Sequence, residues 1–177
     1  MREKFENILL IAGSGQNVGK TTLACRILEN EKEKSPVAVK ITPHFHKTTP
    51  GLIELDKGEN WILFEETETA SGKDTSLYLL SGAVKSYLIL AIDDALAKAF
   101  SGLKKFLPAN RPIVIESAAL IKHINPGLFL MVSRENSQLK METKSLLEKA
   151  DLIILSDGKK FVPSIEKIAF EDKWILR

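Results

Sequence analysis

The sequence predicts an α/β fold, with a mostly parallel sheet that is covered by helices on both faces. Short apolar segments alternate with segments of helical spacing along most of the 177 residues. Residues 8–12 and 128–132 are wholly apolar, which is typical of strands that are buried on both faces of a parallel sheet. Between such segments, residues 20–30 place Leu23, Ala24 and Ile27 at helical spacing. Strands that alternate with helices favour a parallel sheet with helical crossovers.

The remaining elements follow the same pattern. Proline and glycine divide them: Gly82 is a plausible end for one helix and Pro108 for another. Residues 42–60 carry three Pro/Gly breaks and are predicted to form a long loop, which is often a functional feature of compact domains. Further strands are expected at residues 37–41, 61–65, 87–90, 112–116, 152–155 and 174–176, and further helices at residues 74–81, 93–107 and 163–170, with another closing at residues 145–150.

Composition limits the class of protein. The length suits one domain, residues 1–177, that can bury a core without covalent staples. A net charge of +2, without long blocks of like charge, favours neither a nucleic-acid partner nor a membrane partner. The single Cys25 excludes an internal disulfide, and the N-terminal apolar run is too short for a signal sequence or a membrane span. We therefore expect a soluble cytoplasmic protein.

One motif carries the strongest functional signal. It lies between a predicted strand and a predicted helix, where a phosphate-binding loop is expected. Its glycines allow tight turns, and successive N–H groups at the helix N-terminus can hold phosphate oxygens. The lysine can reach the β- and γ-phosphates, and the first threonine stands where a Mg²⁺ ligand is expected. The motif predicts a P-loop NTPase fold that binds ATP or GTP with Mg²⁺, through Gly13, Ser14, Gly15, Gln16, Asn17, Val18, Gly19, Lys20, Thr21 and Thr22.

Two charged residues at strand ends are candidates for catalysis beside Lys20. Glu116 ends an apolar strand, where P-loop enzymes place a carboxylate that holds Mg²⁺ or its water. The alternative is a strand-end glutamate that faces solvent. Lys40 ends another apolar strand, and if this strand lies beside the first, Lys40 emerges near the phosphates. The alternative is a lysine whose stem is buried while its ammonium reaches water.

The segments around these strands contain further candidates. His44 and His46 point the same way in an extended segment and could bind an anionic substrate or a metal; exposed loop histidines are the alternative. Asp56 or Asp74 could approach the Mg²⁺; the alternatives are a turn aspartate for Asp56 and a helix N-cap for Asp74. Asp157 follows a strand end and could contact a nucleotide base, although the Asn-Lys-x-Asp motif of many GTPases is absent from the sequence.

Three blocks of sequence resemble the molybdopterin-guanine dinucleotide biosynthesis adaptor family of P-loop proteins. They are the loop at residues 13–22, the strand and histidines at residues 37–46, and the Lys-Asp-Thr-Ser segment at residues 73–76 that leads to Ser81-Gly82-Ala83. The strand ending at Glu116 stands where that family has a strand ending in Glu-Gly, although Ser117 replaces the glycine.

The resemblance implies a nucleotide-binding adaptor with slow, Mg²⁺-dependent hydrolysis. It also implies a protein partner in molybdenum-cofactor maturation and a homodimer. It supports functional roles for Lys40, Asp74 and Glu116, with Asp74 as a candidate metal ligand beside Thr21, and for His44 and His46.

A second resemblance leaves the chemistry open. The first glycine of the motif is Gly13 rather than residue 14, so the loop has the longer spacing of the dethiobiotin synthetase and cobyric acid synthase group. Those enzymes use a nucleotide to activate a carboxylate or carbamate. The alternative function is therefore an ATP-dependent synthetase or kinase that acts on a small carboxylate or amine.

Overall fold

The computed structural model describes residues 2–134, 141–158 and 160–177. Its elements alternate as the sequence predicts through most of the chain. The strands are β1 (Glu3–Gly13), β2 (Val37–Thr42), β3 (Leu52–Gly58), β4 (Trp61–Glu66), β5 (Lys85–Ala91), β6 (Ile113–Glu116), β7 (Ile124–Ser133), β8 (Leu152–Ser156), β9 (Phe161–Val162), β10 (Ile168–Phe170) and β11 (Trp174–Leu176). The helices are α1 (Lys20–Asn30), α2 (Asp74–Leu80), α3 (Leu96–Lys104) and α4 (Met141–Leu147).

A mostly parallel mixed sheet forms the centre of the molecule. In the described part of the chain, nine strands pair in the order β3-β4-β5-β2-β6-β1-β7-β8-β9. The six strands from β5 to β8 in this order run parallel to their neighbours. Antiparallel pairs complete both edges. The predicted α/β class is therefore confirmed, and the carboxyl ends of the parallel strands meet along one edge of the sheet.

Helices cover both faces of this sheet. Alternate residues of β1 point to opposite faces, because successive side chains of a strand alternate. Leu9 and Ile11 pack with α1 and with Tyr78 of α2, whereas Ile8 and Leu10 pack with α3 and α4. The two cores sit on either side of β1, β2 and β6, so these central strands are held rigidly.

The helices begin and end for identifiable reasons. Helix α1 covers Lys20–Asn30, as predicted, and buries the apolar face at helical spacing. Helix α2 ends near Gly82, whose φ of 101° provides the left-handed residue expected after a helix. The prediction of one helix over residues 93–107 was too long. A 3₁₀ turn at Asp93–Ala95 precedes α3, which ends at Lys104.

The prediction of one long loop over residues 42–60 was wrong in its second half. Strand β3 occupies Leu52–Gly58 and pairs with β4 as an antiparallel edge strand. Its side chains are largely exposed, so it lacks the apolar signal of a buried strand. The Pro/Gly breaks at residues 50–51 and 58 bound this strand rather than interrupt a loop.

The prediction of a helix over residues 163–170 was also wrong. A 3₁₀ turn at Ile165–Lys167 leads directly into β10, which forms an antiparallel hairpin with β11. Ile168, Phe170 and Trp174 pack against the α1 core, and Trp174 Nε1 donates to Asn7 O at 2.8 Å. This hairpin covers one face of the sheet, instead of the helix that the apolar spacing suggested.

A search of the described residues for helices found none with the length and apolar character needed to cross a membrane.

Candidate functional site

The glycine-rich loop joins the end of β1 to the start of α1. Gly19 adopts φ 101° immediately before the helix, and a Cβ there would lie 2.9 Å from Ser156 Oγ. Both the backbone angle and the space therefore require glycine at this position. The first N–H groups of α1 have no partner within the helix and can bind an anion at this edge of the sheet.

A packing contact explains why the first glycine of the motif is at residue 13. A Cβ at Gly13 would lie 2.7 Å from Lys20 Cδ and 2.8 Å from Val18 Cγ2. The stem of Lys20 thus packs directly on the Gly13 backbone, and this contact needs glycine at residue 13. The backbone N–H of Ser14 continues the sheet, donating to Val132 O at 2.8 Å.

The remaining loop residues have separate roles. Val18 is buried in the α1 core, which holds the loop to the domain, whereas Gly15 and Gln16 are exposed. Asn17 has a positive φ of 54°, and its carbonyl accepts from Arg134 Nη2 at 2.7 Å. Thr22 is exposed on the first turn of α1.

Lys20 crosses the loop that it follows. Its Nζ donates to Gly15 O at 2.7 Å, so the ammonium lies over the loop backbone. Burial lowers the pKa of Lys20, and the attraction of Glu116 offsets this in part. A partly buried ammonium of lowered pKa favours an anion brought beside it, because the anion restores the charge interaction that burial removes.

Strand order brings a second group of residues to the same edge. The sequence argument assumed that β2 would lie beside β1, but β6 lies between them. Glu116 at the end of β6 is the register partner of both Ile11 and Lys40. Lys40 therefore does not stand on a strand next to β1, and Glu116 lies between it and the loop.

The Glu116 carboxylate is the centre of this group. It is 3% exposed and accepts hydrogen bonds on both oxygens. Lys40 Nζ lies 2.5 Å from Oε1, while Thr21 Oγ1 and Tyr78 OH lie 3.1 and 2.7 Å from Oε2. Glu116 thus faces the interior of the site, and the alternative of a solvent-facing glutamate is wrong.

Lys40 holds two carboxylates together. Its Nζ also lies 3.0 Å from Asp74 Oδ2. Burial lowers the pKa of Lys40, but the attraction of Glu116 and Asp74 outweighs it, so that the pKa is raised. The ammonium therefore stays charged, and it fixes the position of Glu116.

The two aspartate candidates separate clearly. Lys73 is the N-cap of α2, and Asp74 is the first residue of the helix, so the N-cap alternative for Asp74 is wrong. Asp56 lies on the edge strand β3 and pairs with Lys105 at 2.8 Å, outside the Glu116 group. Of the two, the structure brings Asp74 to the site.

Tyr78 was missed by the sequence analysis. It is fully buried, and burial followed by the charge of Glu116 raises the pKa of its phenol well above the ordinary value. It therefore acts as a neutral donor to the carboxylate. A signal was present, because Asp74 and Tyr78 stand at spacing i, i+4 and share one face of α2.

The two loop histidines lie beside cavities rather than in the Glu116 group. Both are exposed, and both line a cavity of about 290 Å³ together with Lys40, Lys47 and Lys73. His44 also lines a larger cleft of about 550 Å³ that extends to Lys20 and Glu116. An anionic ligand at His44 and His46 therefore stays a prediction.

Asp157 lies on the other side of the loop. It follows β8 and is exposed, and its Oδ1 accepts from Lys160 N at 2.7 Å. The preceding Ser156 lies against Gly19. Asp157 is therefore near the start of α1, and its contact with a nucleotide base stays a prediction.

The oxygen donors fit a magnesium ion that is shared with phosphates. Thr21 Oγ1 and Glu116 Oε2 are 3.1 Å apart, close to the ~2.9 Å between adjacent ligands of octahedral Mg²⁺. Among the described residues, no group of three or more His, Cys, Asp or Glu side chains could hold a metal by itself. Mg²⁺ usually takes one or two protein ligands and completes its shell with water and substrate phosphates, so the donor set suits it.

Comparisons of the chain with family models, with curated proteins and with solved structures gave no significant match.

Proposed function

We propose that this chain is a P-loop nucleoside triphosphate-binding protein and a slow, Mg²⁺-dependent NTPase. One observation carries the proposal. The N-terminus of α1, the Lys20 ammonium, the Thr21 hydroxyl and the Glu116 carboxylate converge at one edge of the sheet. This set combines anion donors, a positive charge and oxygen ligands for Mg²⁺, which phosphoryl chemistry requires.

The residues have distinct roles in this proposal. Residues 13–22 hold the triphosphate through backbone N–H groups, and Lys20 leaves Gly15 O to contact its outer phosphates. Thr21 and Glu116 hold Mg²⁺ or its water, with Asp74 as a candidate outer ligand. Lys40 keeps Glu116 in place and contributes positive charge near the terminal phosphate. When bound, Mg²⁺ would neutralise charge on the phosphates.

The adaptor resemblance extends this proposal to a biological role. The three blocks of sequence favour a cytoplasmic protein that acts with a partner enzyme in molybdenum-cofactor biosynthesis, as a homodimer. In support, the blocks meet in space, because the loop, Lys40 and Asp74 lie around Glu116. ATP and GTP remain equal candidates.

A second function is supported by the cleft of about 550 Å³ that adjoins Lys20 and Glu116. A protein that hydrolyses a nucleotide needs room for one water beside the terminal phosphate, whereas this cleft has room for a larger acceptor. An ATP-dependent synthetase or kinase that acts on a small carboxylate or amine is therefore the alternative.

Phosphate release and binding calorimetry test both functions. The protein would be given Mg²⁺ with ATP or GTP, with and without bicarbonate or diamino acids as acceptors. We expect binding and slow release that acceptors do not change. Release that depends on an acceptor would establish the alternative, and the absence of triphosphate binding would refute both.

The Glu116→Gln variant separates binding from turnover. It keeps the shape of the side chain and removes the charge that favours Mg²⁺. We therefore expect nucleotide binding to persist and Mg²⁺-dependent phosphate release to fall by about tenfold or more. Full activity would assign the metal role elsewhere, to Asp74 first. Asp56→Asn is the matched control, because Asp56 lies outside the site and should leave release unchanged.

A further inference from the structure

The 550 Å³ cleft lies beside the phosphate-binding loop, on the face of the sheet that α3 and α4 cover. Gln16, Lys20 and Glu116 line one end of it, and residues that follow β6 line its length. It shares Lys40, Thr42 and His44 with the smaller cavity at α2. The loop and Lys20 account for one end of the cleft, and the proposed nucleotide contacts leave its other end unassigned.

The walls of the remaining part are apolar. Ile41, Ala91 and Leu96 form a buried floor, and the partly exposed Ala119 and Leu146 face the cleft from the segment after β6 and from α4. Small side chains at residues 118 and 119 keep the space open. A site with this lining binds the hydrocarbon or ring portion of a ligand, because such a ligand removes apolar surface from water.

Positive charge marks the end far from the loop. Lys122 and Lys149 both line the cleft and are exposed. Asp93 is the one acid that lines this part among the residues that the structure describes, and its Oδ2 lies 3.3 Å from Lys122 Nζ. Two lysines against one carboxylate leave an excess of positive charge, which favours an anionic group on the ligand.

We propose that this cleft binds a small anionic molecule with an apolar body, its anion at Lys122 and Lys149 and its other end against the terminal phosphate of the bound nucleotide. This inference rests on the proposed function for the role of the ligand. The cleft itself can be tested without nucleotide.

Octanoate is a suitable probe, because it has an apolar chain and one carboxylate. Octylamine has the same chain with the opposite charge and serves as the control ligand. With ¹³C-labelled alanine methyl groups, NMR reports where each probe binds. We expect octanoate to shift the methyl signals of Ala118 and Ala119 and to leave that of Ala169, which lies in the β10–β11 hairpin, unchanged.

Variants then test the charge. Lys122→Gln combined with Lys149→Gln should weaken octanoate binding about tenfold, since charged hydrogen bonds contribute that much or more. Lys98→Gln, on the exposed face of α3, is the matched control and should change nothing. Ala118→Leu, at an exposed position, should narrow the cleft and weaken octanoate binding without the loss of the fold.

Three outcomes would overturn the inference: equal affinity for octylamine, octanoate shifts spread over alanines outside the cleft, or unchanged affinity in the double lysine variant. ATP calorimetry on the same samples keeps the two proposals apart. ATP binding without octanoate binding refutes the cleft ligand alone, whereas octanoate binding without ATP binding refutes the nucleotide function alone.

Discussion

Lys20 and Lys40 stand at the same edge of the sheet but in different surroundings. Lys20 follows the glycine-rich loop and donates to a backbone carbonyl, and burial lowers its pKa. Lys40 ends β2 between Glu116 and Asp74, and the two carboxylates raise its pKa against the effect of burial. Lys20 thus donates to a neutral carbonyl, whereas Lys40 is paired with two carboxylates.

The contrast teaches that two lysines of one site contribute to different properties. A carbonyl can be exchanged for a phosphate at little cost, so Lys20 should contribute mainly to ligand affinity. The ion pairs of Lys40 hold a buried carboxylate, so Lys40 should contribute mainly to the stability of the fold. Replacing each lysine by methionine, which keeps the apolar stem, tests this division.

The largest expected effect is the loss of stability in Lys40→Met. Removal of the ammonium leaves the buried Glu116 charge with two hydroxyl donors, and breaking such a pair costs about 3 kcal/mol. Urea unfolding should show a lower midpoint with an unchanged slope. Because the folded pKa is raised, the difference from wild type should persist up to the ordinary lysine value of 10.5 and narrow above the folded pKa.

A second variant distinguishes the ion pair from simple loss of packing. In Lys40→Met combined with Glu116→Gln no buried charge remains unpaired, so part of the lost stability should return. If the losses of the two single variants simply add in the double variant, Lys40 does not stabilise the fold through Glu116, and Asp74 is the partner to test next.

Lys20→Met should have the next largest effect, on affinity rather than stability. The loss of charged hydrogen bonds to phosphate should weaken triphosphate binding by about 2 kcal/mol, roughly thirtyfold, in calorimetry. The free energy of unfolding should hardly change, because the lost partner is an exposed carbonyl at Gly15. Unchanged ATP affinity would remove the basis of the nucleotide proposal, and a large loss of stability would erase the contrast with Lys40.

Tyr78→Phe should have a smaller effect on the same carboxylate. The variant loses the hydroxyl that donates to Glu116 Oε2 at 2.7 Å, while Thr21 and Lys40 remain, so we expect a loss of about 1 kcal/mol. Tyr87→Phe is the matched control, a buried tyrosine on β5 that packs in the other core. Equal effects of the two variants would show that the hydrogen bond of Tyr78 to Glu116 adds no stability beyond that of another buried tyrosine hydroxyl.

The sequence could predict elements whose signal is local. Residues 20–30 have helical spacing from a glycine-rich turn onward, and residues 37–41 are a buried strand on composition alone. Prediction from the sequence failed where pairing with a separate strand determines the secondary structure. Residues 165, 168 and 169 have helical spacing, yet pairing of β10 with β11 makes part of this segment a strand. The exposed edge strand β3 depends in the same way on β4.

The site shows the same division. Lys20 and Glu116 were found because each stands at a fixed place relative to a local element. The contact between Lys40 and Glu116 depends on the position of β6 between β1 and β2, which no single segment encodes. In the sequence Tyr78 reads as an ordinary core aromatic. Its role follows from the hydrogen bond of its hydroxyl to Glu116, which lies 38 residues away on β6.

The smallest expected effect is a fractional proton taken up when a triphosphate binds. Burial lowers the pKa of Lys20 in the free protein, and an adjacent phosphate should raise it again. At a pH below 10.5 but near the lowered pKa, binding must therefore take up protons, and affinity must fall as pH rises through the lowered value. Lys40, already paired, should contribute little to this uptake.

Calorimetry in buffers of different ionisation enthalpy measures this uptake. We expect a positive uptake at pH values near the lowered pKa of Lys20, and we expect it to disappear in Lys20→Met. Because Lys40→Met destabilises the fold, Lys47→Met is the better control: Lys47 lines the neighbouring cavity and should leave the uptake unchanged. Uptake that persists in Lys20→Met would mean that the titrating group lies elsewhere, and the distinction between the two lysines would then rest on stability alone.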